Sequence, residues 1–461
     1  MLGAVRTKIA ASLLGPSGMG LLAQAMSLRD LLSSAATFGS RTSYLKLVAE
    51  HYGRDERQAL ERLLVSALTL IMVLALVTAG AAAIASEQIS EWAFGSPAFA
   101  VLVVVAALVV VVGAPARMVA RTFTGVLDFR TYLQIAAVEA VVAVVAMAIL
   151  AKLFGVAGAI GSFAVAEAAV LVTGGFLLWR RLARPLGLDL RPRMPAGDVV
   201  RRLARLASAL TVTSLAASGA AVWVRAEVLH ELGTDASGYY QVAWQVGQNY
   251  LSLLGGVLWS YGMPKVATRL EDPALILHLQ NNFLRIVLTI LAPGVIGLLA
   301  LREVWIPILF SKAFLAAGTL VAWQLVGELV AMTRQSMNIS VLPRERLGFL
   351  IGQAIFYWGL WALVATVSLP WLGATAPAVS YLVANLFTLG LTWWYHRTRF
   401  GYRLEAENRR LLAWCVPGVC VALALVHGEA GWTERGAAIV LASAWLLANR
   451  SLLLRLWARE A

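Results

Sequence analysis

Apolar runs approaching the roughly 20 residues of a membrane-crossing helix recur along the whole chain, at 63–85, 98–112, 135–150, 286–301 and 355–369 among others. Within each run the apolar residues are continuous rather than alternating, which predicts helices and not the strands of a membrane barrel. The expected spans are a truncated first helix at 1–14, then 20–45, 63–85, 98–126, 132–151, 156–179, 206–229, 236–263, 283–301, 314–342, 348–368, 371–395, 411–427 and 436–449. The pattern thus predicts an all-α polytopic membrane protein of about fourteen transmembrane helices. Its longest polar stretch, 180–205, is a loop, and nowhere is there room for a soluble domain.

Composition agrees: 60% of the residues are hydrophobic and 14% charged, where a soluble chain carries about 25% charge. A net charge of +13 would suggest nucleic acid in a soluble protein. Here the bases gather in alternate joins: 46–62, Arg130, 180–205, 265–269, 344–346, 397–410 and both termini. The opposite joins hold only Lys152, Arg302, Lys312 and Arg435. The positive-inside rule makes the basic side cytoplasmic, with both termini inside, and removes the argument for a nucleic-acid partner. Cys415 and Cys420 share one apolar helix without metal-ligand neighbours and read as small core residues. No Walker, HExxH, GxSxG or Rossmann pattern is present, and the five histidines do not cluster, so the chain reads as a non-enzyme without a metal.

The chain also repeats itself. Residues 14–25, LGPSGMGLLAQA, match 232–243, LGTDASGYYQVA, without a gap, pairing Leu14 with Leu232, Gly15 with Gly233, Gly20 with Gly238 and Ala25 with Ala243. The same offset pairs Val48 and Ala49 with Val266 and Ala267; slightly shorter offsets pair Phe94, Phe99 and Arg117 with Phe310, Phe314 and Arg334. Two six-helix lobes related by this repeat are therefore expected: 1–180, then a basic cytoplasmic linker at 181–205, a second lobe at 206–396, and two extra helices with a cytoplasmic tail at 397–461. Transporters built from such repeats hold substrate at the repeat interface.

The LGxxxxG turn at 14–20, the Leu47-Val48-Ala49-Glu50 and Gly53-Arg54-Asp55 that follow, and the short elements at 92–99 and 309–314 resemble the polysaccharide flippase family of the multidrug/oligosaccharidyl-lipid/polysaccharide exporter superfamily. The likeness covers nearly the whole chain. Members have a full helix before the LG turn, so the first helix here is expected to be a shortened one. The resemblance implies a transporter that moves undecaprenyl-linked oligosaccharide, such as an O-antigen unit, from the inner to the outer leaflet of a bacterial plasma membrane. Membrane lipids, a polysaccharide polymerase and glycosyltransferases are the implied partners, and H+ or Na+ the coupling ion. The rival readings are a cation-coupled drug exporter of the same superfamily and a membrane glycosyltransferase or polymerase.

Charges inside the spans are costly, about 2.5–3.5 kcal/mol each on an insertion scale, so they should face a cavity or one another. The bases are Arg29, Arg41, Arg117, Arg121, Arg225, Arg285 and Arg334; the acids are Asp30, Glu139, Glu167, Glu227 and Glu328. Arg117 and Arg121 share a helix face, and Arg334 is the repeat counterpart of Arg117. Together with Arg29 and Arg225 they are the candidate pyrophosphate binders, since guanidinium forks match phosphate oxygens. Snorkelling to headgroups is the competing reading, and the favoured one for Arg41 and Arg285; Arg29 with Asp30 and Arg225 with Glu227 are also candidate structural pairs. The amide stripes Gln241, Gln245, Gln248, Asn249 and Gln324, Gln335, Asn338 suit sugar hydroxyls or interhelical hydrogen bonds. Glu328, with Asp30 and Glu139 behind it, is the candidate for ion coupling.

Overall fold

The computed structural model describes residues 2–251, 256, 262–263, 265–268, 270–341, 343–344, 346–427 and 432–449. Asn249's side chain, Arg269 and the tail after 449 lie outside the described residues. Helices account for the regular structure among them, and the chain divides into two compact units, Met1–Gly238 and Tyr239–Ala461.

In the first unit the helices are α1 (Leu2–Thr37), α2 (Arg41–Gly53), α3 (Arg57–Ile84), α4 (Ser86–Phe94), α5 (Ala100–Gly125), α6 (Phe129–Leu178) and α7 (Gly197–Gln245), whose end passes into the second unit. The second unit continues with α8 (Pro273–Ile286), α9 (Ala292–Ala300), α10 (Arg302–Leu309), α11 (Gly318–Asn338), α12 (Leu347–Leu372), α13 (Ala376–Phe400), α14 (Ala406–His427) and α15 (Trp432–Ala448). Among the described residues, eight stretches are long and apolar enough to cross a membrane. Four of these, Leu2–Thr37, Phe129–Leu186, Leu210–Gln248 and Leu347–Phe400, are each bent in two at a glycine. With α14 and α15 they supply the fourteen expected segments, and the protein is a multi-pass membrane protein of all-α class.

The bends carry the repeat into the backbone. Gly15 (φ 64°, ψ −172°) and Gly233 (φ 81°, ψ −178°) have one conformation. Gly155 (φ 56°, ψ −133°) and Gly373 (φ 52°, ψ −137°) share another, at the same spacing. Both lie at positive φ, where a side chain would clash with the backbone. The two LG turns also pack on each other: a Cβ on Gly20 would collide with the Thr234 carbonyl oxygen, and one on Gly238 with that of Pro16. Ser17 donates to Asp235, its own repeat counterpart 218 residues on.

The other shared motif has a matching geometry in each unit. Phe94 and Phe99 sit 5.8 Å apart across the bend at Gly95, and Phe310 and Phe314 sit 5.9 Å apart across Ser311. In each case an extended serine, Ser96 or Ser311, opens a short 3-10 turn.

Several boundaries differ from the sequence reading: the spans expected at 63–85 and 283–301 begin earlier, at Arg57 and Pro273. The span expected at 20–45 stops at Thr37, because Phe38 (φ 45°) and Gly39 (φ 55°) turn the chain; Arg41 therefore opens a new helix. That turn docks on α7, where Thr211 Oγ1 donates to the Phe38 carbonyl at 2.5 Å. The basic stretch 46–62 is helical except at 54–56: α2 buries Tyr44, Leu47 and Val48 against α3 and α5, and the Tyr44 hydroxyl lies 2.7 Å from that of Thr122. Glu50 stays outside to pair with Arg54 (3.1 Å) and Arg202 (3.0 Å). The helix expected at 206–229 begins earlier, at Gly197, and α6 continues helically to Leu186, so the polar stretch 180–205 is not all loop: only 187–196 lies outside helices.

Candidate functional site

Three helices of the first unit, α1, α5 and α6, with the start of α2, line a cavity of about 520 Å3. Five arginines line it, Arg6, Arg29, Arg41, Arg117 and Arg121, against two carboxylates, Glu139 and Glu167. The excess of positive charge marks a place for an anion, since a cation would meet repulsion from most of the wall.

Four of the five bases are held by named contacts. Arg117 Nε and Nη2 both reach Glu167 Oε1, at 2.9 and 2.6 Å. Gly113 makes room for this pair: a Cβ there would lie 3.2 Å from the Glu167 carboxyl carbon. Arg29 pairs with Asp30 at 2.5 Å, turning the acid away from the lining. Arg41 Nη2 donates to Ser33 Oγ at 2.9 Å. Arg6 and Arg29 lie over the Phe163 ring, 4.4 and 5.6 Å from its centroid; the ring steadies both cations while consuming none of their donors. Arg121 makes no ion pair among the described residues and is the freest donor of the set.

The second unit builds something else at the equivalent positions. Arg334 Nη2 donates to Asn385 Oδ1 at 3.4 Å, and its guanidinium sits 4.8 Å from the Tyr357 ring centroid. Asn385 and Tyr357 stand 218 residues beyond Glu167 and Glu139, so the repeat has replaced both carboxylates by neutral groups. Its carboxylate comes from α11 instead. Glu328, 1% exposed, accepts from Gln248 (3.3 Å), Gln324 (3.4 Å) and the Tyr381 hydroxyl. Gly247 lets it approach, for a Cβ there would lie 2.5 Å from Glu328 Oε1.

Residues 9–318 match the family described as polysaccharide biosynthesis protein. The chain belongs to that family. This member is 25% identical to the lipid III flippase of Escherichia coli (strain K12) over 384 residues, 83% of this chain and 91% of that protein, and equally similar to the lipid III flippase of Shigella flexneri. Among solved structures its fold matches the lipid II flippase MurJ in an inward closed conformation (TM-score 0.72, 12% identity, 98% of this chain and 96% of that one). It also matches an inward-facing multidrug resistance MATE family transporter (TM-score 0.69, 14% identity, 87% and 94%).

Of the candidate residues in this polysaccharide biosynthesis family member, Arg29, Arg117, Arg121 and Glu139 line the first-unit cavity. Arg225 is buried in the first unit but does not line it. Arg334, Gln324 and Glu328 belong to the second-unit cluster, while Gln241 and Gln245 contribute half-buried side chains elsewhere in that unit. Asn338 takes the interhelical role: its Nδ2 donates to Gln353 at 2.8 Å, and Gln353 in turn to Thr392 at 2.5 Å. Arg285 does not snorkel; it is 7% exposed and pairs with Glu405 (2.6 Å) and Glu407 (3.0 Å). Arg41, also expected to snorkel, turns into the cavity instead.

The sequence reading left Arg6, Glu167 and Phe163 out of the site. By sequence Arg6 belongs to the basic N-terminus; in the structure it lies inside α1. For Glu167 the signal was available: it and Arg117 are charges in apolar runs, and such charges seek each other. Phe163 carried no signal, one phenylalanine among fifteen.

Proposed function

We propose that this chain carries lipid-linked oligosaccharide from the inner to the outer leaflet of the bacterial plasma membrane, for polysaccharide assembly. The observation that carries the reading is the arginine-lined cavity enclosed by spanning helices. A pyrophosphate between lipid and sugar is a polyanion, and guanidinium groups steadied by Phe163, Ser33 and Glu167 offer it preset donors. The likeness to lipid III flippases supports the same reading.

In this reading two lobes alternate access, the headgroup crosses in the protein, and the lipid tail stays in the bilayer. Both termini and the basic stretch 180–205 face the cytoplasm, as their bases require. Glu328 exchanges H+ or Na+ as access alternates, and polymerase and glycosyltransferases act before and after the crossing. The drug-exporter reading has the MATE fold likeness in its favour, but a wall with five arginines and two glutamates repels a cationic drug.

The test is rescue of surface polysaccharide in a flippase-deficient strain, with protein levels checked by blot. The triple variant Arg6→Gln, Arg29→Gln, Arg121→Gln should abolish rescue, and Arg121→Lys should rescue in part, keeping the charge but losing the fork. Full rescue by the triple variant contradicts the proposal.

A further inference from the structure

A second basic cavity, of about 610 Å3, lies where α13 ends in the second unit. Trp393, Arg397, Tyr402, Arg403 and Arg409 form most of its wall. Gly401 (φ 64°) stops the helix and reverses the chain, which brings Arg403 and Arg409 round to face the same space as Arg397. No acid lines it. The nearest carboxylates in sequence are engaged elsewhere: Glu405 and Glu407 both bind Arg285, and Glu405 also contacts His278 at 3.3 Å. Arg397, Arg403 and Arg409 make no ion pair among the described residues. Arg397 rests over the Trp393 ring, 5.1 Å from its centroid. Tyr402 is 1% exposed, and its hydroxyl has no hydrogen-bond partner among the described residues. A buried hydroxyl ordinarily has one.

Depth tells which anion fits. From Ala376, the start of α13, to Trp393 the helix rises roughly 26 Å at 1.5 Å per residue. The hydrocarbon core is about 30 Å thick. Trp393 and the neighbouring Trp394, 40% and 59% exposed, then stand at the headgroup belt where tryptophan concentrates. The arginines lie about one turn beyond, at phosphate level. On α14 the chain turns back with Trp414 72% exposed, an apolar surface suited to acyl chains.

We propose that this cavity binds the phosphate of an anionic phospholipid, with Arg397, Arg403 and Arg409 as its donors and Trp393 as the floor beneath the glycerol. It is separate from the first-unit arginine cavity and independent of what that cavity carries. Free phosphate has the same chemistry, so the experiment must tell the two apart.

The experiment titrates the purified full chain, in a zwitterionic detergent, with phosphatidylglycerol, phosphatidylcholine or inorganic phosphate, and counts bound adducts by native mass spectrometry. Phosphatidylglycerol should bind best, and its affinity should fall about fivefold for each arginine replaced by glutamine. Phosphatidylcholine binding should not change. A control triple variant at exposed helix positions outside the cavity, Arg130→Gln, Arg180→Gln, Arg201→Gln, should bind phosphatidylglycerol like the parent. Equal affinity in parent and in Arg397→Gln, Arg403→Gln, Arg409→Gln overturns the site, as does an equal loss in the control. Inorganic phosphate binding as tightly as the lipid makes it a free-anion site and also overturns the proposal. Should the triple variant not fold, fluorescence quenching by brominated phosphatidylglycerol decides. The parent should show a component that Trp393→Phe lacks and that brominated phosphatidylcholine does not produce; absence of that component counts against the site.

Discussion

At the residue scale the Arg117–Glu167 pair separates stability from function. Glu167 has a side chain 9% exposed and Arg117 one 27% exposed, so removing the base strands a nearly buried acid. Arg117→Gln should lower stability by about 1–3 kcal/mol, the range for a buried group left without its partner. Adding Glu167→Gln should restore most of the thermal midpoint in detergent. It should not restore transport if the guanidinium holds substrate, and recovery of both together would make Arg117 a structural residue only. Glu328 allows a complementary substitution. Glu328→Gln keeps an acceptor for Gln248, Gln324 and Tyr381, so the fold should persist. Flipping driven by a proton or sodium gradient should fall to the rate seen without one; an unchanged response to the gradient would remove Glu328 from coupling.

Among the elements, the glycine bends are where backbone and sequence speak most directly to each other. Gly15→Ala and Gly373→Ala place a side chain at φ 64° and 52° and should each destabilise by about 1–3 kcal/mol. Gly80→Ala, inside α3 with nothing within 4 Å of the added carbon, should be neutral or slightly stabilising. Thermal unfolding in detergent compares all three, and an equal effect at Gly15 and Gly80 would count against the bends as constrained positions. The start of α6 carries a pH signature. Asp128 caps it, accepting from the Thr131 hydroxyl at 2.5 Å and the Thr131 amide at 3.0 Å. The hydroxyl first, then the amide and Arg181, hold its carboxyl below the ordinary 3.8. A depressed carboxyl stabilises the fold above pH 3.8 and ceases to do so as the pH falls through its lowered value. Asp128→Asn, which keeps a capping oxygen, should flatten that acid limb in amide exchange at the helix start, and an unchanged limb would assign it to other carboxylates. The spans and the LG repeat were legible in the sequence because hydropathy and glycine act locally. The cavity was only partly legible. Arg117 and Arg121 announce themselves as charges in an apolar helix, but that Arg6 and Arg29 share Phe163 depends on how α1 packs on α6. Arg285 shows the same limit, since its partners Glu405 and Glu407 lie more than a hundred residues away.

For the whole molecule, one repeated architecture carries two chemistries: a cationic cavity in one unit, and in the other a buried carboxylate and an arginine held by neutral groups. The proposed orientation rests on the basic joins and is open to labelling. In a background lacking Cys415 and Cys420, Met194→Cys, at a site 93% exposed, should react with an impermeant maleimide only after cells are opened. Glu231→Cys should react in intact cells, and the reverse pattern would invert the topology. The central claim, that the chain moves a lipid-linked oligosaccharide across a bilayer by way of its arginine cavity, meets its most direct test in vesicles. Purified protein is reconstituted with a fluorescent lipid-linked oligosaccharide in both leaflets, and an impermeant glycosidase is added outside. Empty vesicles expose only the outer half of the sugar to cleavage. Vesicles with the parent chain should lose nearly all of it, and those with Arg6→Gln, Arg29→Gln, Arg121→Gln only the outer half. Cleavage that stops at half with the parent chain, or goes to completion with the triple variant, would contradict the account.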